Sequence, residues 1–189
     1  MKDYPIITIT NKEKVFPQGI SQWLKAGAPS RLYYIGDIGM IMQPMTGLFS
    51  SIRCPSSLII KAQDIAKELG NNCIHVISGF HSPIEKEMLR ILIRGKGSIV
   101  LCPARGLNGI RLSPELQQVF KENRLLIISA FNNRVIRSNK EYAMQRNLIV
   151  AAIAEKVVVI HSEPGGNIES LSKIIQAWGK TIKYLKTNE

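Results

Sequence analysis

From residue 47 to residue 185, short β-branched runs alternate with longer amphipathic stretches, and that alternation leaves few architectures open. GLFSSI (47–52) leads to SLIIKAQDIAKELG (57–70), and CIHVIS (73–78) leads to HSPIEKEMLRILIRG (81–95). SIVLC (98–102) leads, past a glycine-bearing loop, to SPELQQVFKEN (113–123). LLIISAF (125–131) precedes SNKEYAMQRNLIVAAIAE (138–155), VVVIHS (157–162) precedes NIESLSKIIQAWG (167–179), and TIKYL (181–185) closes the series. Strands that are apolar along their whole length and joined through helices pair in parallel and are covered on both faces. The expectation is an α/β fold: a doubly wound, mostly parallel sheet with helices on both faces.

Helix boundaries are marked independently of that pattern. Ser82-Pro83-Ile84-Glu85 and Ser138-Asn139-Lys140-Glu141 both fit the S-x-x-E capping box, and Ser113-Pro114-Glu115 carries a cap followed by a first-turn proline. Gly70, Gly95 and Gly179 fall where three of the helices are expected to stop. Residues 1–46 break the alternation: YPIITIT and RLYYIG read as extra strands around a short helix and loop, FPQGISQWLKAGAPS. They are read as an N-terminal extension of the sheet formed by 47–189, one structural domain overall, because 189 residues are few for two ordinary domains.

A net charge of +11 and a pI near 9.8 favour polyanionic partners, nucleic acid before an anionic membrane surface. No apolar run approaches a bilayer span, and MKDYPIITIT has no leader pattern, so no membrane partner is expected. Cys54, Cys73 and Cys102 are odd in number and widely spaced, which fits a reducing cytoplasm. His75, His81 and His161 have no ligand-spaced companions, so neither a metal nor a cofactor is expected.

In an open parallel sheet, ligands bind beyond the carboxyl ends of the strands, near the point where strand order reverses. The turns at that edge carry Ser51 and Arg53, then Ser78 and Gly79, then Arg105, Gly106 and Arg111, then Arg134 and Arg137, then Gly165 and Gly166. Small residues let backbone amides approach an anion, helix N-termini favour negative charge, and arginine binds phosphate through a planar fork. The anion could belong to a nucleotide, a cofactor, a signalling ligand or a nucleic-acid backbone. Phe80 and Phe131 could stack bases if exposed. Glu163 and Glu169 are carboxylates without an evident catalytic partner, and the helix N-terminus near Cys54 is expected to lower its pKa.

In order along the chain, five stretches resemble the DNA-processing protein A family. LYYIGDIGMIMQPMTGLFSSIRCPSS is similar to that family's "Ly..G" strand and "GSR..S" turn, with Ser51-Ile52-Arg53 and Ser56 at the turn. VISGFHSPIEKEML resembles "vSGlA.GID..AH..aL" through Ser78 and Gly79. GSIVLCPARGLNGIRLSPEL resembles "TiaVL..Gld..YP..n..L", with Arg111 and Leu112 in place of the Tyr-Pro pair. MQRNLIVAAIAEKVVVIHSE resembles "RNRiIagLs..vvVvEa" through Arg146, Asn147 and Glu163, and residues 166–170 stand where the family has "SGsLiT".

The resemblance implies a Rossmann-like fold and single-stranded DNA bound in the basic rim. It also implies a homodimer and help in loading a RecA-type recombinase during DNA uptake or recombination. Arg53, Ser78, Gly79, Arg146 and Asn147 carry over for the pocket or its support. The family's usual additional N- and C-terminal domains are not expected within these 189 residues.

PGGNIESL also resembles the "PGG.GT..E" loop of the related lysine-decarboxylase-like (LOG) phosphoribohydrolases, but Ser172 stands in the position of their glutamate. Hydrolase activity is therefore not expected, while a non-catalytic sensor of a nucleotide-derived ligand is the alternative to a DNA-binding protein. For DNA, Ser51, Arg53, Ser78, Gly79, Arg105, Gly106, Arg111, Arg146, Asn147, Gly165 and Gly166 are the expected phosphate-binding positions, with no catalytic residue among them.

Overall fold

The computed structural model describes residues 4–185. In chain order these form β1 (Ile7–Thr10), α1 (Gln18–Leu24), β2 (Arg31–Ile35), β3 (Met45–Ser50), α2 (Ile59–Asn71), β4 (His75–Ser78) and α3 (Pro83–Leu92). Then follow β5 (Ile99–Leu101), α4 (Pro114–Lys121), β6 (Leu125–Ser129), α5 (Lys140–Ile153), β7 (Lys156–His161), α6 (Asn167–Ala177) and β8 (Thr181–Tyr184). The strands make one sheet in the order β1-β2-β6-β5-β4-β3-β7-β8. β3 to β8 pair in parallel. β1 and β2 pair antiparallel, and β2 joins β6 antiparallel, so the N-terminal segment continues the same sheet. This is the α/β, Rossmann-like architecture.

Side chains alternate between two cores. Leu48, Val76, Ile99, Ile127 and Val158 pack with Ala62 and Ala66 of α2, Met88 and Leu92 of α3, and Val119 of α4. Phe49, Ile77, Val100, Leu126 and Val157 pack on the other face with Ile20 of α1, Ile149 and Val150 of α5, and Leu171 and Ile175 of α6. Burial on both faces explains why the parallel strands read as unbroken apolar runs.

From β3 the chain steps outward through β4 and β5 to β6, and α5 then carries it back to β7 on the other side of β3. Strand order therefore reverses between β3 and β7, which places the ligand crevice at the carboxyl ends of those two strands. There the ladder slips by one residue between Phe49 and Ser50. Such an irregularity locally opens the pairing next to a site.

Three local details differ from the sequence reading. Asn139, not Ser138, caps α5, its side chain accepting from the Tyr142 amide at 2.7 Å. The β3 run begins at Met45, two residues before the glycine taken as its start, and stops at Ser50, because Ser51 turns to reach β7. Gly70 lies within α2 rather than past its end. A Cβ on Gly95 would come 2.6 Å from the Gly70 Cα, so these glycines let the C-terminal ends of α2 and α3 touch backbone to backbone.

The crossover helix α5 is held at its C-terminus by one lysine. The Lys180 ammonium donates to the carbonyls of Ala151 (2.6 Å), Ala152 (2.9 Å) and Ala154 (2.6 Å). It lies 5.3 Å from the Trp23 ring centroid and 5.9 Å from that of Trp178, which stack on each other. A cation here satisfies helix-end carbonyls and sits at the negative end of the dipole, while the indoles tie α1 and α6 to the same point. Lys180→Met is expected to cost about 2 kcal/mol of stability, read as a lower urea midpoint with an unchanged m-value.

Candidate functional site

Three chain segments meet at the crevice, and a buried carboxylate joins them. Glu85, in the first turn of α3, accepts from the Ser50 amide at 2.8 Å, the His81 amide at 2.8 Å and the Ser82 amide at 3.1 Å. The Ser82 hydroxyl in turn accepts from the Glu85 amide at 3.2 Å, completing the capping box. The motif is thus more than a local cap: it binds the end of β3 to the turn after β4. Charge-assisted hydrogen bonds of this kind are the strong ones.

Serines do the same at the neighbouring strand ends. Ser78 donates to the Leu48 carbonyl at 2.9 Å and accepts from the Phe80 amide. Ser129 donates to the Arg105 carbonyl at 2.7 Å and accepts from the Phe131 amide. Ser51 accepts from the Glu163 amide at 2.9 Å, and its own amide donates to the His161 carbonyl, joining the turns after β3 and β7. Phe80 takes φ +46, a left-handed conformation that a bulky residue adopts only when its surroundings hold it there.

These turns enclose a pocket of about 300 Å³ beyond β3 and β7. Ser51, Arg146, Asn147 and Gly166 line it, together with Glu163 and Lys140. Arg146 is only 5% exposed. Its Nη1 donates to the Cys102 carbonyl at 3.1 Å, and its Nε has no hydrogen-bond partner among the described residues. The buried carboxylate lining the same pocket, Glu85, is already occupied by three amides. A buried guanidinium with an N–H that no protein group accepts favours an anion beside it.

Gly79 makes room for that guanidinium. A Cβ on residue 79 would fall 1.3 Å from Arg146 Nη1.

The expected residues divide into two groups. Ser51, Arg146, Asn147 and Gly166 line the pocket, Arg53 stands on its outer side, and Ser78 and Gly79 form the turn behind it. Arg53 is almost fully exposed and lies 4.0 Å from Glu163, a loose surface pair of little energetic weight. Arg105, Gly106 and Arg111 belong to the loop after β5. Gly106 backs onto the loop after β6, where a Cβ would meet the Asn132 carbonyl at 2.4 Å. In strand order, the turns after β6, β5, β4 and β3 present Arg134, Arg105 with Arg111, Gly79 and Arg53 along one edge. Three strand spacings of ~4.8 Å make this a cationic edge of about 14 Å.

Gly165 tips the turn after β7, where its amide donates to the Glu169 carboxylate at 2.9 Å, and the Gly166 amide donates to the Glu163 carbonyl. The Gly165 amide and Lys173 hold the Glu169 carboxyl below the usual carboxylate range. Lys140 and Glu85 were not anticipated as site residues. Both lie in first turns of capped helices at the ligand edge, which is the signal that could have found them.

Phe80 and Phe131, whose stacking depended on exposure, are 5% and 7% exposed, so neither offers a face to a base. One expectation is corrected. Burial pushes the Cys54 thiol above its ordinary value, against a weaker opposing hydrogen bond with Ser50, so the predicted lowering by a helix N-terminus does not occur. Burial likewise pushes Cys102 up to about 12. At the position of the hydrolase glutamate, Ser172 is buried in α6 and its hydroxyl has no partner among the described residues. Among those residues, no helix is long and apolar enough to cross a membrane.

The family described as DNA recombination-mediator protein A matches residues 7–177. No curated protein sequence matches the chain. Among solved structures the chain is similar to DNA processing protein A from Streptococcus pneumoniae, with a TM-score of 0.80 at 15% identity, covering 99% of this chain and 64% of that one. It therefore spans less than two thirds of the pneumococcal chain. It is also similar to DNA processing protein A from Helicobacter pylori, in a structure concerned with that protein's single-stranded DNA binding mode. There the TM-score is 0.79 at 17% identity, covering 98% of this chain and 82% of that one. The molybdenum cofactor binding protein from Rippkaea orientalis has a TM-score of 0.56 at 9% identity, covering 77% of this chain and 78% of that one. At these identities the likeness is one of fold.

The close fit of Gly79 against Arg146 predicts a coupled pair. Gly79→Ala is expected to cost about 2 kcal/mol in urea unfolding. In the Gly79→Ala/Arg146→Ala double variant, the loss is expected to fall at least about 1 kcal/mol short of the sum of the singles. Additive losses would show that the guanidinium does not occupy that space.

Proposed function

The chain belongs to the DNA recombination-mediator protein A family, and from that premise we propose that it binds single-stranded DNA along the carboxyl edge of its sheet. The observation that carries the reading is the buried, incompletely bonded Arg146 in the pocket at the reversal of strand order. One phosphate enters that pocket and meets Arg146, with Ser51, Asn147 and Lys140 around it. Neighbouring phosphates lie on Arg53 and on the cations after β5 and β6, among them Arg105, Arg111 and Arg134 or Arg137. The turn residues Ser78, Gly79, Gly106, Gly165 and Gly166 shape this edge: a Cβ on Gly79 would collide with Arg146, one on Gly106 or Gly166 would crowd a neighbouring carbonyl, and Gly165 holds a left-handed φ of +71. A net charge of +11 exceeds what one small ligand requires and suits a strand of phosphates.

The protein acts in this reading by binding rather than by catalysis. Glu163 faces Arg53, Glu169 faces Gly165 and Lys173, and Glu85 is committed to three amides. None of these carboxylates is paired for acid–base work. The reading extends, on the strength of family membership, to a cytoplasmic homodimer that assists loading of a RecA-type recombinase in DNA recombination or uptake.

A second reading is favoured by the pocket's size alone: about 300 Å³ would hold one small nucleotide-derived phosphate ligand.

Fluorescence anisotropy of a labelled oligonucleotide across a salt series separates the two. With roughly four phosphates neutralised, log K falls against log salt with a slope near −3 for a single strand. Arg53→Ala weakens binding and makes that slope shallower by about 0.7. Absence of oligonucleotide binding at low salt, with saturable binding of a mononucleotide, would establish the second reading instead.

A further inference from the structure

Phe80 and Phe131 are buried and offer no face to a base. Beside the phosphate pocket, however, lies a larger groove of about 800 Å³ between the N-terminal ends of α2 and α3. Its apolar wall is formed by Ile52, Pro55, Ile59 and Ile84. Cys54 adds to that wall, since burial raises its pKa and keeps the thiol neutral. Ile52 is 66% exposed and Ile59 38%, an unusual pairing of large aliphatic residues at a cationic edge. Ile52 borders both cavities, and Arg53 follows it at the lip of the groove.

We infer that this groove is a nucleobase subsite, occupied by bases of the same single strand whose phosphates lie on Arg53 and in the Arg146 pocket. The inference rests on the phosphate reading above. The ridge at Ile52 and Arg53 separates a charged cavity from an apolar one, which matches the two sides of a nucleotide. A strand crossing that ridge presents phosphate to the pocket on one side and turns its bases into the groove on the other. Aliphatic side chains can bury a base face, and Gln63, Glu87 and His161, which also line the groove, are the polar groups available to a base edge. Phosphates are common to single strands and duplexes, but only an unpaired strand has a base free to turn out. The groove therefore supplies the preference for single strands that the phosphate contacts alone cannot.

The test compares a thymidine dodecamer with a dodecamer of abasic spacers carrying the same phosphates. Both are measured by anisotropy with wild type, Ile59→Ser, Ile52→Ser and Ile60→Ser. Ile60 is 69% exposed and lies outside the groove, so its variant controls for loss of surface hydrophobicity. Wild type is expected to favour the thymidine strand by about tenfold. Ile59→Ser and Ile52→Ser are expected to reduce that preference to about threefold or less without changing the salt slope, and Ile60→Ser to leave it intact. Equal binding of both strands by wild type, with a normal salt slope, overturns the subsite and leaves the phosphate pocket standing. A preference unchanged by Ile59→Ser and Ile52→Ser does the same, as does loss of self-association in these variants with the preference intact, which would assign the groove to a second copy. If neither strand binds, the phosphate reading fails and the subsite with it.

Discussion

Much of the ligand edge depends on the buried carboxylate of Glu85. Its two oxygens accept from the amides of Ser50, His81 and Ser82, so the end of β3, the turn after β4 and the start of α3 are held as one unit. Without it, two buried backbone donors, those of Ser50 and Ser82, would be left unpaired, each at a cost of about 1–3 kcal/mol, and the part-buried His81 amide would lose its partner. The hydroxyls of Ser51, Ser78 and Ser129 extend the same principle from strand to strand. Each uses a short side chain to satisfy a turn amide, which leaves the turns compact and the edge open.

That bracing has an electrostatic consequence. Glu85 lies at the pocket but is occupied by amides, so it does not pair with Arg146. Arg146 is fixed by one bond to the Cys102 carbonyl and by the space that Gly79 vacates. The pocket thus keeps a rigid, incompletely bonded cation, while Arg53, Arg111 and Arg134 remain outside as exposed ones. On the proposed reading, the buried cation would give strength at one phosphate and the exposed cations range and salt sensitivity. The inferred base subsite beyond Ile52 would then divide the work between phosphate and base.

The repeating pattern of apolar strands and capped helices was legible because both faces of the sheet are buried and the caps are local. The strand order was not, since the return of α5 past β3 leaves no mark on the periodicity. Ser82 and Glu85 were readable as a capping box, but the bond from Glu85 to Ser50 spans 35 residues and exists only once the fold brings them together. Arg53, Arg146 and Gly79 stood out through resemblance, and the structure supplies the physical reason for the last two: they share one space. The burial of Phe80 and Phe131 was not legible, because aromatic residues at strand ends look alike whether they cover a core or face solvent. Cys54 misled because burial, against a weaker hydrogen bond with Ser50, sets its thiol.

Amide and arginine side-chain NMR signals followed during titration with a thymidine oligomer test the central claim most directly. The account predicts the largest shifts at Ser51, Ser82, Gly166 and the Arg146 Nε–H, as a phosphate enters the pocket beside that guanidinium. Saturable binding that leaves those four signals in place, with the shifts confined to β1, β2 or the α3–α4 surface, would contradict it.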